Sequence, residues 1–182
     1  MANYKIVFAG PVGAGKTTAI AAVSQIPPVS TEAVARDDTR FSKPNTTVAM
    51  DYGLLTLGKA ERVHLYGTPG QARFDFMWEI LAEGGLGIVL LIDNAAVAAL
   101  EDLVRYVEAF RESIDRSRLV VGITRMDLNR TPDLPDYAAR LERIGVRAPV
   151  LEVDARSRAD VSRLLEALLY SIDPGFELAY QA

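Results

Sequence analysis

The chain has 182 residues and no cysteine. That excludes disulfides, thiolate metal sites and thiol catalysis, and it suits a reducing compartment. Histidine is scarce too. The single His64 has no second histidine or carboxylate at metal-ligand spacing and reads as an ordinary strand residue. There is no basic block: 20 Lys and Arg stand against 24 Asp and Glu, a net charge of −4, so nothing electrostatic points to nucleic acid. Long apolar runs are missing. The longest, Leu86 to Ile92, is about a third of a membrane span, and Tyr4 to Ala9 is too short for a signal peptide. Position 2 is Ala, and no cysteine stands near Ala182, so no direct lipid anchor is expected. Repeats, low-complexity tracts and composition breaks are also lacking. The expectation is one domain over residues 1–173 and a tail over 174–182 opened by Pro174-Gly175, in the cytoplasm, with any membrane recruitment left to partners.

What is present begins with Gly10-Pro11-Val12-Gly13-Ala14-Gly15-Lys16-Thr17, followed by Thr18. It fits the G-x-x-x-x-G-K-[ST] phosphate-loop pattern. The context is the confirming one, an apolar strand (Tyr4 to Ala9) before it and a helix (Thr17 to Val23) after it. Backbone N–H groups of such a turn curl around a phosphate at the positive end of the helix. Lys16 is expected to reach the β- and γ-phosphates, and the Thr17 hydroxyl to take a place on Mg²⁺.

Pro27-Pro28 stops the first helix. Residues 29–46 are polar and without sustained period, and read as a long loop. Thr47 to Leu57 and Glu61 to Tyr66 read as a hairpin around Gly58-Lys59. Gln71 to Leu81 can form a helix with Phe74, Met77, Trp78 and Leu81 on one face. Gly87 to Ile92 and Leu119 to Thr124 are continuous apolar runs, as in strands buried on both faces. Asn94 can cap a helix over 97–110, striped by Leu100, Leu103, Val104 and Val107. Asp133 to Ile144 makes a helix with Pro135 in its first turn. Val150 to Val153 is a last strand, and Asp160 to Ser171 a last helix. Alternating strands and helices predict an α/β fold of the P-loop NTPase kind. The predicted sheet has six strands, mostly parallel with one antiparallel edge strand, and helices on both faces.

In such a sheet ligands sit past the carboxyl ends of the strands. Past the fifth strand stands Thr124-Arg125-Met126-Asp127, which looks like the [NT]-K-x-D guanine motif of small GTPases with Arg125 in place of Lys. Past the sixth stands Asp154-Ala155-Arg156, which looks like their S-A-K loop. A carboxylate at Asp127 can accept from the guanine N1–H and exocyclic amine. Adenine offers no such pair, and sites built on such pairing reject the wrong ligand by about 10⁴–10⁵. The other reading of Asp127 is a cap or turn residue after a strand. The Ala155 N–H would meet the guanine carbonyl.

Together these residues resemble the Ras-like small GTPases over nearly the whole chain, and among them the bacterial MglA-type branch and its relatives encoded beside roadblock-domain proteins. The resemblance implies a switch I threonine at Thr47, with Thr46 adjacent, closing on Mg²⁺ and the γ-phosphate. Gly67-Thr68-Pro69-Gly70-Gln71 resembles the D-x-x-G-Q motif, with Gly70 as γ-phosphate sensor and Gln71 orienting the attacking water. It implies catalysis through Gln71, Lys16 and Thr47, GTP or GDP as bound ligand, and Mg²⁺ as cofactor. It also implies effectors and a roadblock/LC7-type regulator or GTPase-activating protein as partners.

Two departures matter. Gly67 stands where most members carry the Mg²⁺-holding Asp. If the hairpin turn centres on Lys59, Asp51 lies opposite Gly67 and can supply that carboxylate from the neighbouring strand; a solvent-facing Asp51 is the other reading. Val12 stands where many members have glycine, and its side chain crowds the γ-phosphate and Gln71. Slow hydrolysis that needs a partner is therefore expected. Arg36, Arg40 and Arg73 could supply an arginine in cis, or be solvated charges. Trp78, Phe74 and Phe76 either pack on the sheet or form a partner face. Two rival functions stay open: a non-hydrolysing nucleotide-locked scaffold, and an ATPase that uses Asp93 to hold Mg²⁺.

Overall fold

A computed structural model describes residues 2–34, 47–57, 61–70 and 76–173. The first strand, β1 (Ala2–Ala9), runs into the phosphate loop and then helix α1 (Lys16–Val23). Two further strands follow, β2 (Val29–Val34) and β3 (Thr47–Leu57), and then β4 (Glu61–Gly67) returns beside β1. Helix α2 (Phe76–Ala82) leads to β5 (Gly87–Asp93), whose seven residues are all buried, as its unbroken apolar run requires. Helices α3 (Ala99–Ala109) and α4 (Arg111–Arg116) precede the equally buried β6 (Leu119–Thr124). Helix α5 (Leu134–Arg143), β7 (Val150–Glu152) and α6 (Arg158–Ile172) complete the series.

The strand order is β2-β3-β4-β1-β5-β6-β7. All six expected strands are there, β4-β1-β5-β6-β7 parallel. A seventh corrects the strand count. Residues 29–34 pair with β3 along their whole length, Val29 with Tyr52 through Val34 with Thr47. The antiparallel strand β3 is therefore interior, and β2 is the edge. The stretch Val29-Ser30-Thr31-Glu32-Ala33-Val34 carries β-branched residues but too little apolar alternation to stand out from a loop. The hairpin register is the expected one, with Asp51 opposite Gly67.

Helices cover both faces. On one face α1 and α6 set Ile20, Val23, Leu164 and Leu168 against Phe8, Leu65 and Leu91. On the other, α2, α3 and α5 set Trp78, Leu103, Tyr106, Val107, Tyr137 and Leu141 against Leu90, Ile92 and Val121. Several helix bounds differ from expectation. The 97–110 helix begins only at Ala99, with Val97 exposed, and a short α4 follows it. Asn94 does not cap it; Asn94 is completely buried and bonded elsewhere. Helix α5 has Pro135 in its first turn and a reciprocal cap between Asp133 and Asp136, both at 3.0 Å. The hairpin turn at Gly58-Lys59, Phe74 and the 174–182 tail lie outside the described residues, as do the side chains of Phe76 and Met77. Among the described residues no helix is long and apolar enough to cross a membrane.

The chain leaves β1 through α1 toward β4 and later enters β5 on β1's other side. The carboxyl end of β1 is thus the point where strand order reverses, the place where such sheets bind ligands.

Candidate functional site

The loop after β1 turns through Gly13 and Gly15, at φ +82° and +99°, values that disfavour a Cβ at the entry to α1. Its lysine folds back over it. Lys16 Nζ donates to the carbonyls of Gly10 at 2.7 Å and Pro11 at 2.8 Å. Burial pulls its pKa down to about 8, opposed in part by the Asp51 carboxylate. Val12 is two-thirds exposed on the outer side of the loop.

Thr17 and Asp51 meet at the start of α1. The Thr17 hydroxyl donates to Asp51 Oδ2. Gly67, across the ladder, leaves room for this: a Cβ built there would lie 3.0 Å from Asp51 Cβ and 3.2 Å from its Oδ2. The Asp51 side chain points to Thr17, at the start of α1, and toward Lys16. A hydroxyl and a carboxylate are hard oxygen donors of the kind that take Mg²⁺ together with waters and phosphates, so the residues present fit that ion.

Gly70 closes over the same end of the loop. A Cβ on it would come within 2.6 Å of Val12 N, 2.8 Å of Pro11 C and 2.9 Å of Lys16 Nζ, so a side chain cannot be fitted without moving backbone. Gln71, Arg73, Arg36, Arg40 and Thr46 lie outside the described residues, as does the side chain of Thr47, whose backbone starts β3.

A cavity of about 670 Å³ opens on the other side of the loop. It brings Gly13, Ala14, Gly15 and Thr18 together with Thr124, Arg125, Asp127, Ala155 and Arg156, residues far apart in sequence. Asp154, Asp160 and Arg163 also line it, and of these sequence reasoning had only Asp154. Thr124 is buried and its hydroxyl lies 3.2 Å from the carbonyls of both Ala14 and Ile92, tying the phosphate loop to β5. Asp127 is exposed on the cavity wall, with no hydrogen-bond partner among the described residues.

The two loops that frame this cavity are held from behind. Asn94 Nδ2 donates to the Asn129 carbonyl, Asn129 Nδ2 returns a bond to the Asn94 carbonyl at 3.1 Å, and the Tyr137 hydroxyl donates to Asn94 Oδ1 at 2.6 Å. Arg125 has φ +58°, a left-handed conformation uncommon for a residue with a side chain. Its guanidinium pairs with Asp93 Oδ2, while Asp93 Oδ1 accepts from Ala95 N at 2.9 Å. Asp93 is thus committed to shaping the loop after β6. On the last loop, Asp154 accepts a fork from Arg156 Nε and a terminal nitrogen, each at 2.9 Å, which holds its carboxyl below the usual range. The Asp154 N–H donates to Asp160 at 3.0 Å. The signal for Asp93 and Asn94 lay only in their place at and just past the end of β5.

Trp78 is a core residue and not a partner face: 2% exposed, stacked on Tyr106 and Phe110. His64 is a strand residue, 2.8 Å from the Tyr52 hydroxyl through Nδ1. Among the described residues no group of three His, Cys, Asp or Glu side chains could hold a metal by itself.

Comparisons with known proteins agree with this architecture. Residues 28–173 match a family model described as "Conserved hypothetical ATP binding protein", a span that starts after the phosphate loop. An uncharacterized protein of Methanocaldococcus jannaschii is 32% identical over 55% of this chain, and the match spans only 57% of that protein. Mutual gliding-motility protein MglA of Myxococcus xanthus is 28% identical over 76% of this chain and 68% of its own. Ras-related protein RABD2a of Arabidopsis thaliana is 23% identical over 93% and 79%. With a phosphate loop at the switch point of a parallel sheet, and relatives among the Ras-like small GTPases, the chain belongs to the family described as conserved hypothetical ATP binding protein.

Proposed function

We propose that this protein is a GTP-binding molecular switch of the Ras-like kind, close to the MglA-type branch, that hydrolyses GTP to GDP slowly. The observation that carries the reading is the single cavity in which Asp127 and Ala155 stand beside Gly13–Gly15. A nucleotide there would lay its phosphates on the loop amides and its base against Asp127, whose carboxylate accepts from N1–H and the exocyclic amine, with the Ala155 N–H on the base carbonyl. Lys16 would exchange the Gly10 and Pro11 carbonyls for the β- and γ-phosphate oxygens. Thr17 and Asp51, joined by Thr47 on the family pattern, would hold Mg²⁺, which when bound neutralises charge on the β- and γ-phosphates. Asp51 would so replace the acid missing at Gly67. Gln71 would orient the attacking water, and Val12, exposed on the loop, would on the family pattern crowd the γ-phosphate and keep turnover slow until a partner intervenes. A roadblock/LC7-type regulator is part of the proposal by resemblance, and the cytoplasm by the lack of cysteine.

The family's description favours ATP as the second reading. Against its use of Asp93 for Mg²⁺ stand the two bonds that carboxylate already makes. Titrating the purified protein with GTP and with ATP separates the readings: tighter GTP binding supports the switch, and equal or tighter ATP binding overturns the guanine assignment. Single-turnover GTP hydrolysis, alone and with a roadblock-type protein, then separates a slow enzyme from a nucleotide-locked scaffold.

A further inference from the structure

We infer that Trp78 is a positioning residue that fixes which side of the Pro69–Gly70 peptide faces the phosphate loop. The inference rests on the switch reading above and extends it to a residue outside the nucleotide-facing loops. The Trp78 Nε1–H donates to the Pro69 carbonyl at 2.9 Å, within the core. The Tyr106 hydroxyl donates to the next carbonyl, that of Gly70, also at 2.9 Å. The two rings are stacked with centroids 4.5 Å apart, and Phe110 stacks on the indole at 5.6 Å, so the donor cannot swing away. Burial raises the Tyr106 pKa to about 12, which keeps its proton in place.

A trans peptide is planar, and its N–H points opposite its C=O. With the Pro69 oxygen drawn into the aromatic cluster, the Gly70 N–H is turned out of it. A Cβ built on Gly70 would meet Val12 N, Pro11 C and Lys16 Nζ within 2.9 Å, so Gly70 packs directly against the phosphate loop. Were the peptide to flip, a carbonyl oxygen would meet the terminal phosphate, and the contact would be repulsive. Trp78 therefore sets the discrimination between tri- and diphosphate without touching either.

The test compares binding of GDP and of guanylyl imidodiphosphate to the full chain. Trp78→Phe keeps a stacked ring and removes the donor. Because Trp78 is the chain's only tryptophan, biosynthetic replacement by 3-benzothienylalanine removes the same N–H with almost no change of shape. The expected result in both variants is a loss of roughly tenfold in triphosphate-analogue affinity, with GDP affinity held within about twofold. A purely structural role for Trp78 would weaken both ligands alike, and that outcome, or an unchanged ratio, overturns the inference. Should Trp78→Phe fail to fold, the benzothienyl protein decides alone. If the wild-type chain binds neither ligand, the switch reading itself falls, and this inference with it.

Discussion

Asp51 and Gly67 are direct partners across the β3–β4 ladder, and the Asp51 side chain occupies the space a Gly67 side chain would need. On the proposed reading, the carboxylate that most Ras-like GTPases carry at the strand end would here be delivered from the strand beside it. Asp51→Ala is expected to lower Mg²⁺-dependent GTP affinity on the order of tenfold, leaving binding in EDTA little changed. Gly67→Asp alone should not help, because two carboxylates would crowd one place. The double change Asp51→Ala/Gly67→Asp should recover part of the loss. Titrations with and without Mg²⁺ read all three, and an Asp51→Ala protein with wild-type Mg²⁺ dependence would end the idea.

Asp127 gives the sharpest test of base identity. Asp127→Asn presents one donor where guanine needs two acceptors, so GTP affinity should fall by roughly 10²-fold or more. Xanthine carries an oxygen in place of the exocyclic amine, and the same variant should bind XTP better than GTP. Competition between the two nucleotides measures this. A variant that retains its preference for GTP would move Asp127 off the base.

Asn94 holds together the loops behind the cavity, and its removal should be felt as stability. Asn94→Ala leaves the buried Tyr137 hydroxyl without its partner and takes one from the part-buried Asn129 carbonyl. An unmet buried polar group costs about 1–3 kcal/mol. The combined loss of about 2–4 kcal/mol should lower the Tm by roughly 5–15 °C in a chain of this size. Thermal unfolding followed by circular dichroism is the measurement. A shift of a degree or less would mean that water replaces the side chain.

Alkaline pH should destabilise the protein through two tyrosines. Burial raises both Tyr106 and Tyr137 to about 12, against an ordinary value of 10.0. Below pH 10 both are protonated folded or unfolded, and stability does not depend on them. Between about 10 and 12 the unfolded chain loses these protons while the folded chain keeps them, so stability falls as pH rises. Ultraviolet titration should show Tyr106 and Tyr137 ionising late, with Tyr66, also raised by burial, delayed as well. Tyr106→Phe should remove one of these and flatten the alkaline loss of stability.

How far the sequence reached depended on whether a feature was local. The phosphate loop, the buried strands β5 and β6 and the capped helix α5 each announce themselves within a dozen residues, through glycine spacing, unbroken apolar runs or a proline in the first turn. Even the Asp51–Gly67 pairing was accessible, because a hairpin's register follows from where it turns. Residues 29–34 were not, since an edge strand with one partner needs little apolar alternation. Asn94 looked like a cap because short polar residues before helices usually are; its role depends on Asn129 and Tyr137, more than thirty residues away. Asp93 is open to a metal-ligand reading for the same reason, its place at a strand end, while its bonds to Arg125 and Ala95 favour a role in shaping the next loop. Which chemistry a polar residue serves is decided by its neighbours in space.

The aromatic side chains are divided unevenly between the two faces of the sheet, and this governs what optical methods can see. Among the described residues, Trp78, Tyr106, Phe110 and Tyr137 lie buried under α2–α5, while the fully buried ring on the α1–α6 face is Phe8. Tryptophan emission and near-ultraviolet dichroism will therefore report the half of the molecule that anchors Pro69 and Gly70. The half that carries α1, and with it the start of the phosphate-binding helix, will be almost silent. Loosening of α1 could pass unrecorded in an optical melt that looks cooperative, and amide hydrogen exchange is the probe that gives both halves equal weight.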